Sequence, residues 1–542
     1  MNYAKHLTSH LTSRSEADTV DVWSAPGTPD PLPGMVPNNA GGWAYEADAW
    51  NRLRRFLITG SEKGTFYVSE QKLTVENAQN IIQLLKQYPV EVIDQAVLIS
   101  RQGLAKSNDT ALFVLALALT FGDDLAKRAA SAAVTQVART GTHILHLAAM
   151  IDDLRGWGRA VRRAIGSWYN QPAERLGYQL AKYQSRDGWS HRDVLRSIHI
   201  KPATPEHDRL FRWAVGKYEP DDDMGAMRYI YGMKLAHEAV DAEHLVHIIK
   251  EYELEREHLP TRFLKDARVW EALLPNLKYE ALIRNLGNMS DSGLLMDQRN
   301  EIVLYVCNYI TDAENIRRSR VHPLKILSAW YTYKGGEGIK SSKTWIPVQS
   351  VVDALEQAFY QSFRNVEPIN RRLLIAVDCS GSMGYYSPIT GMNCFEAALA
   401  IAYITLRTES HARIILFSDR TITVEEDWGS MRFGEVLNRA REIARMAGTD
   451  CSLPYVYAVQ NRMDVDGIVM YTDEESWRGS DQPVTMLNRY REQVNPGCRN
   501  VVCAMAANHA QLADPDDMLS LDIAGFSADT PQVVSAFLRG EF

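Results

Sequence analysis

Asp378-Cys379-Ser380-Gly381-Ser382 sets a carboxylate and two hydroxyls at a spacing of two. On a loop leaving a strand, that spacing can turn three oxygens toward one point. Such a cluster suits a hard divalent cation: Mg²⁺ prefers oxygen donors in an octahedron, keeps several waters and needs few protein ligands. Two later segments end in the same chemistry: Gly448-Thr449-Asp450 stands ahead of a helical pattern, and Tyr471-Thr472-Asp473 closes an apolar run. Taken alone, the first motif equally fits a strand-to-helix turn with capping residues. The strand context and the two later segments favour the cation.

A second set of side chains is cationic. Ser190-His191-Arg192-Asp193 fits a capping box, with Ser190 as N-cap and Asp193 reaching back. His191 and Arg192 then occupy a first helical turn, where free N–H groups and the helix dipole favour an anion. Arg196 follows Arg192 at i+4, and Lys182 and Arg186 lead into the same turn. Together they make a compact basic strip that would hold phosphates with salt-dependent affinity; the plainer alternative is a solvated helix face. Arg159, Arg162 and Arg163 form a second strip, in which Arg159 and Arg163 share one face, with Trp168 and Tyr169 as candidate core. Trp157 and Trp189 could stack on bases, although buried packing is the preferred reading.

Other chemistry finds little support. The chain has no G-x-x-x-x-G-K-[ST] phosphate loop and no H-E-x-x-H. His237, His244 and His247 are poorly spaced for zinc on one helix face. Cys379 has no basic neighbour in sequence to lower its pKa, so a buried structural thiol is expected. Nothing resembles a general acid–base pair, and no catalysis is expected.

The elements that must position these groups divide into two kinds. From Tyr45 to about Gly287 the sequence is a succession of amphipathic segments, the clearest being Val75–Gln87, Val90–Leu104, Thr110–Thr120, Leu125–Arg139, Thr142–Leu154, Arg159–Asn170 and Glu174–Tyr183. Short helices joined by short loops predict an α-solenoid of stacked pairs, HEAT-like by helix length. Pro323 and the glycines at 335, 336 and 338 loosen the pattern. Near Asn370 the pattern changes: Leu373–Val377, Arg413–Phe417, Gly467–Tyr471 and Asn500–Ala504 are continuous apolar runs, expected as buried, parallel strands. Helical patterns at Asn393–Arg407, Gly434–Met446 and Leu453–Met463 alternate with them. That alternation predicts a doubly wound α/β domain whose ligands sit at the carboxyl ends of the strands. The expected organisation is an irregular, Pro/Gly-rich arm over 1–40, a helical region over 41–365 and the α/β domain over 366–542.

From Arg371 onward, fifteen arginines and no lysine face twenty-three carboxylates, so the whole net charge of −8 lies there and the first 370 residues are balanced. A neutral region can still carry basic stripes, and phosphate affinity follows the local field. The longest apolar run, Ala111 to Thr120, is half a membrane span. The N-terminus has no apolar core of a secretory signal, and the six cysteines show no paired or metal-finger spacing. A cytoplasmic protein with reduced thiols and no membrane contact is expected.

Several blocks resemble the Ro autoantigen family, which joins a TROVE module to a von Willebrand A domain; the bacterial-type Ro ribonucleoproteins are the nearest in kind. The blocks are Asn51-Arg-Leu-Arg-Arg-Phe-Leu57, Gly60-Ser-Glu-Lys-Gly-Thr-Phe-Tyr67 with Glu70-Gln-Lys-Leu73, Gly156-Trp-Gly-Arg-Ala160, Gly188-Trp-Ser-His-Arg-Asp193, Arg256-Glu-His-Leu-Pro260 and Leu282-Ile-Arg-Asn-Leu-Gly287. His322-Pro323, Gly448-Thr-Asp-Cys-Ser-Leu-Pro454 and Ala513-Asp-Pro-Asp-Asp517 extend the likeness from about Gly41 to Phe542. The resemblance implies a ring of HEAT-like repeats closed by the von Willebrand A domain. It implies small Y-type RNA on the outer rim and single-stranded ends of misfolded RNAs in the central hole. It further implies work in RNA quality control beside an exoribonuclease such as polynucleotide phosphorylase, by a monomeric protein within a ribonucleoprotein. His191 falls on the family's RNA-contacting histidine. Asp378, Ser380, Ser382, Thr449 and Asp473 fall on the metal-ion-dependent adhesion site, for Mg²⁺ or else Mn²⁺ or Ca²⁺, with a partner's acidic group often adding an oxygen. Asp450 reads as ligand or cap, and Thr449 is preferred. Two other functions fit the same residues: a protein-binding scaffold that docks a carboxylate on the metal, and a metal-dependent nuclease, which would need a second carboxylate cluster.

Overall fold

The computed structural model describes residues 3–5, 7, 28–38, 40–46, 48–60, 70–102, 105, 107–154, 156–220, 225–296, 300–338, 342–385, 392–474, 476–505, 510–524 and 530–541. The expected helices form within a few residues of the periodic segments: Glu70–Gln87, Pro89–Gln102, Asp109–Phe121, Asp124–Val137, Gly141–Leu154, Arg159–Trp168 and Ala173–Lys182. Alternate helices contact one another, so Pro89–Gln102, Asp124–Val137, Arg159–Trp168 and His191–Ile198 make one layer. Asp109–Phe121 and Gly141–Leu154 pair within the other. Asp109–Phe121 is buried from Asp109 through Thr120, which explains its unbroken apolar run: it is a core helix, too short to span a bilayer. No helix among the described residues is long and apolar enough to cross a membrane.

Two expectations are corrected. Pro323 does not loosen the helical pattern but starts a helix, Pro323–Gly335, with His322 as N-cap accepting the Leu324 N–H. Proline lacks an N–H that a first-turn position would leave unbonded anyway. The N-terminal 40 residues are not wholly irregular. Tyr3 is fully buried, its ring 5.5 Å from Phe56 and 5.3 Å from Phe113, and Met35–Pro37 is a strand.

That strand, β1, pairs antiparallel with β2 (Trp43–Glu46). A two-stranded ribbon, β3 (Ser185–Arg186) and β4 (Trp189–Ser190), leads into the helix His191–Ile198. The α/β domain contains β5 (Leu373–Asp378), β6 (Ala412–Phe417), β7 (Thr421–Thr423), β8 (Gly467–Thr472), β9 (Arg499–Ala504), β10 (Ala510–Gln511) and β11 (Ser520–Ala524). Its six-stranded sheet runs β11-β9-β8-β5-β6-β7. Five strands are parallel, as their apolar runs predict, and β7 is an antiparallel edge.

The helical array returns on itself through the α/β domain. At its far end, helix Gln349–Gln361 and the turn Ser362–Asn365 pack on the domain through aromatic rings: Phe359 lies 6.0 Å from Phe433 and Phe363 6.2 Å from Tyr403. One apolar cluster runs unbroken from Ala236 into the domain. At its near end, β2 pairs with β10, setting Glu46 opposite Ala510 and Tyr45 opposite Gln511. Arg55, from helix Ala49–Thr59, pairs with Glu474 and Asp522. Both ends of the array meet the same domain, so the chain closes a ring.

Candidate functional site

Parallel pairing of β5 with β8 sets Val377 opposite Tyr471, so Asp378 and the segment Thr472-Asp473 leave adjacent strands at the same edge. Asp378 is fully buried, and Ser380, Ser382, Thr449 and Asp473 are buried with it. Asp378 Oδ1 accepts the Ser380 N–H at 2.7 Å, Oδ2 accepts the Thr472 hydroxyl at 2.6 Å, and the Ser380 and Ser382 hydroxyls lie 3.4 Å apart. The loop bearing Thr449 is drawn in by the Gly381 N–H, which donates to the Ala447 carbonyl at 3.1 Å. Burial, reinforced by the charge of Asp473, raises the Asp378 carboxyl. Two carboxylates held together out of water are repelled unless a counter-charge joins them. The donors at hand are hard oxygens, which fit Mg²⁺, Mn²⁺ or Ca²⁺. Among the described residues no three His, Cys, Asp or Glu side chains gather as a metal cluster, so this site must rely on hydroxyls and water.

Asp450 closes the turn ahead of helix Leu453–Gln460: its Oδ1 accepts the Ser452 N–H and hydroxyl at 2.9 and 2.6 Å. Burial pushes the Cys379 thiol up to about 11, which leaves it inert as a nucleophile. All six cysteines are free thiols. Thr472 was not anticipated as a partner of Asp378; its place at the very end of β8, one residue before Asp473, was the available signal.

The cationic residues separate into two groups. Helix Arg159–Trp168 buries Val161, Ala164, Ile165 and Trp168, and helix His191–Ile198 buries Val194, Leu195 and Ile198. The opposite positions Arg159, Arg162, Arg163, Arg192 and Arg196 are exposed, and none has an ion-pair partner among the described residues. The two helices pack side by side, which joins the two arginine strips into one surface. The Ser190–Asp193 capping box forms as expected. Arg186 is exposed on β3, its guanidinium donating to the Ser185 carbonyl.

Lys182 and His191 are engaged within the protein rather than presented on the exposed face. Lys182 Nζ donates to Glu255 at 2.5 Å and to the Tyr178 hydroxyl at 2.8 Å. Its charge therefore ties helix Ala173–Lys182 to the turn at Arg256–His258. His191 is buried, its Nδ1 lies 2.8 Å from the Tyr169 hydroxyl, and its ring stacks on Trp168 at 5.9 Å. Burial lowers its pKa to about 4, so it is neutral at physiological pH. Trp168 and Tyr169 are core, as considered. Trp157 and Trp189 pack against each other with ring centroids 5.1 Å apart and planes tilted by 39°, both half-buried. Arg162 joins the exposed face because 159, 162 and 163 fall on one side of a helix.

The match to known proteins covers both regions. The family model for the TROVE domain matches residues 36–222 and 250–333, and that for the Ro60 vWA domain matches 372–538. The chain is 37% identical over 515 residues to the RNA-binding protein RO60 of Deinococcus radiodurans, covering 94% of this chain and 96% of that one. It is 31% identical over 590 residues to the RNA-binding protein RO60 of Caenorhabditis elegans, covering 94% and 90%. The crystal structure of the Deinococcus radiodurans RO (RSR) protein superposes with a TM-score of 0.75 at 34% identity, spanning 91% of this chain and 100% of that one.

Proposed function

This chain belongs to the RO60 family, and from that premise we propose that it is an RNA-binding protein whose arginine face holds RNA backbone while its α/β domain holds a divalent cation. One observation carries the RNA reading. Five exposed arginines without ion-pair partners among the described residues stand on two adjoining helices, in a region whose net charge is zero. An unneutralised cluster of this kind releases counterions when phosphates replace them, and guanidinium forks match phosphate oxygens. The first-turn N–H groups of His191–Ile198 add to the same field. Lys182 and His191 support this face from beneath by fixing neighbouring elements.

The finer reading rests on the resemblance. The RNA on this face is a small non-coding Y-type RNA, and single-stranded ends of misfolded RNAs enter the ring. The complex serves RNA quality control with an exoribonuclease such as polynucleotide phosphorylase. Asp378, Ser380, Ser382, Thr449 and Asp473 hold Mg²⁺, which when bound offers a coordination position to an acidic group of a partner. The curated relatives are named for RNA binding, and the chemistry of this chain's exposed residues supports binding rather than bond cleavage.

Fluorescence-anisotropy titrations of labelled RNA across a salt series test the reading. Replacing Arg159, Arg163, Arg192 and Arg196 by Ala should make the slope of log affinity against log salt shallower by about three. An unchanged affinity and slope would remove this face from the RNA site.

A further inference from the structure

The segment that follows β8 belongs to two structures at once. Asp473 is part of the candidate cation cluster, and the next residue, Glu474, forms a bidentate pair with Arg55 of helix Ala49–Thr59 at 3.0 and 3.2 Å. Arg55 also binds Asp522, whose other oxygen accepts the N–H groups of Leu512 and Ala513. All three charged side chains are almost completely buried. A short relay connects this pair to the cluster: Glu474 N–H donates to the Thr472 hydroxyl at 3.2 Å, and that hydroxyl donates to Asp378 at 2.6 Å.

A second connection runs through Thr449. Its carbonyl accepts the N–H groups of Trp477 and Arg478 at 3.1 and 3.0 Å. The Trp477 carbonyl accepts the Thr28 hydroxyl at 2.9 Å, and the Ser476 carbonyl accepts the Asn38 side-chain amide at 2.7 Å. A Cβ on Gly42 would lie 1.9 Å from the Ser476 carbonyl oxygen, so the backbone leading into β2 approaches this loop more closely than any side chain would permit. The near-end seam of the ring is therefore built on the same loops that carry Asp473 and Thr449.

The two junctions of the ring differ in kind. The far one is continuous with an apolar core. The near one relies on hydrogen bonds and a buried ion triad, and among the described residues the apolar cluster of the first half of the array stops short of the α/β domain. Interfaces of the second kind are the ones that dock and release.

We propose that the cation site and this seam are one coupled unit, with Arg55 as the positioning residue that joins them, so that cation binding and docking of the array on the α/β domain favour each other. The proposal rests on the cation reading above. When Arg55 leaves, Glu474 loses its counter-charge in a buried place and must move toward water. That movement withdraws its N–H from Thr472 and loosens the oxygen of Asp378 that Thr472 holds. Coupling of this kind is reciprocal: whatever factor the docked seam adds to cation affinity, the cation returns to docking.

The test uses the full chain, stripped with a chelator. Mg²⁺ binding is measured by calorimetry, and amide exchange of residues 42–46 and 49–59 is followed with and without Mg²⁺. Arg55→Gln should weaken Mg²⁺ about tenfold, and Asn38→Ala, which removes one seam bond and no charge, should weaken it less. Mg²⁺ should slow exchange at 42–46 in the wild type and leave it unaltered in Asp378→Ala. Wild-type Mg²⁺ affinity in both seam variants, or exchange at 42–46 indifferent to Mg²⁺ in a wild type that binds it, overturns the coupling alone. No Asp378-dependent Mg²⁺ uptake by the wild type overturns the cation reading and the coupling together. If Arg55→Gln does not fold, Asn38→Ala and the wild-type exchange decide.

Discussion

Lys182 and Arg192 read alike in the sequence, yet one is an internal tie and the other is exposed, with no ion-pair partner among the described residues. The difference lies in Glu255, 73 residues downstream of Lys182, a partner that no local spacing can reveal. Arg192 and Arg196 were legible because a capped amphipathic helix dictates which positions face water. Lys182→Ala should therefore lower stability by about 1 kcal/mol and leave the salt slope of RNA binding unchanged, whereas Arg192→Ala should do the reverse; melting curves beside binding titrations separate the two. Histidine burial has its own consequence. His143, His191, His258 and His322 each have pKa values lowered to about 4, chiefly by burial. The unfolded chain binds protons at these sites near the ordinary histidine value, while the folded chain resists. Their contribution to stability is thus complete above about pH 6.5 and lost as the pH falls toward 4. Melting temperature should fall between pH 7 and pH 5, and RNA affinity should show no inflection from His191 between pH 6 and pH 7.5.

Helices were readable to within a few residues where an apolar stripe defined them, as at Gly141–Leu154, expected from Thr142. The central strands were readable because burial on both faces makes them uniformly apolar. The short strands β1, β2 and β10 were not, since two to four residues carry no clear period, and β10 lies more than 460 residues from β2. The helix His191–Ile198 spans only 8 residues, too few to hold in water by propensity alone, so its cap matters more than usual. Ser190→Ala removes the Ser190 hydroxyl that accepts the Asp193 N–H, leaving only the Ser190 N–H on the Asp193 carboxylate, and should cost about 1 kcal/mol. Amide exchange at Val194 and Leu195 should quicken, and RNA affinity should fall without any change in the number of arginines.

For the whole molecule, composition pointed away from nucleic acid: an isoelectric point near 6 and a net charge of −8 placed wholly in the C-terminal third. The structure resolves that conflict by separating the charges in space, so that an acidic domain and an arginine face coexist in one chain. Ring closure was legible only through the family resemblance, because no local pattern reveals contacts such as Arg55 with Glu474, 419 residues apart. If the cation is resident, its removal acts on the whole ring. Mg²⁺ at a hundred times its dissociation constant should stabilise the wild type by about 2.7 kcal/mol. Chelation should abolish that gain in the wild type and change nothing in Asp378→Ala, as read by denaturant titration.

The split between the two apolar clusters also sets an order on synthesis. The first runs from Tyr3 to Met233, so its apolar core can consolidate while the ribosome is still translating the rest. The second cannot finish until the last strands and helix emerge, because it includes Val501 and Phe537. Arg55 thus waits, hydrated, while more than 400 further residues are made, for Glu474 and then Asp522. The hoop is sealed only once β8 and β11 have both emerged.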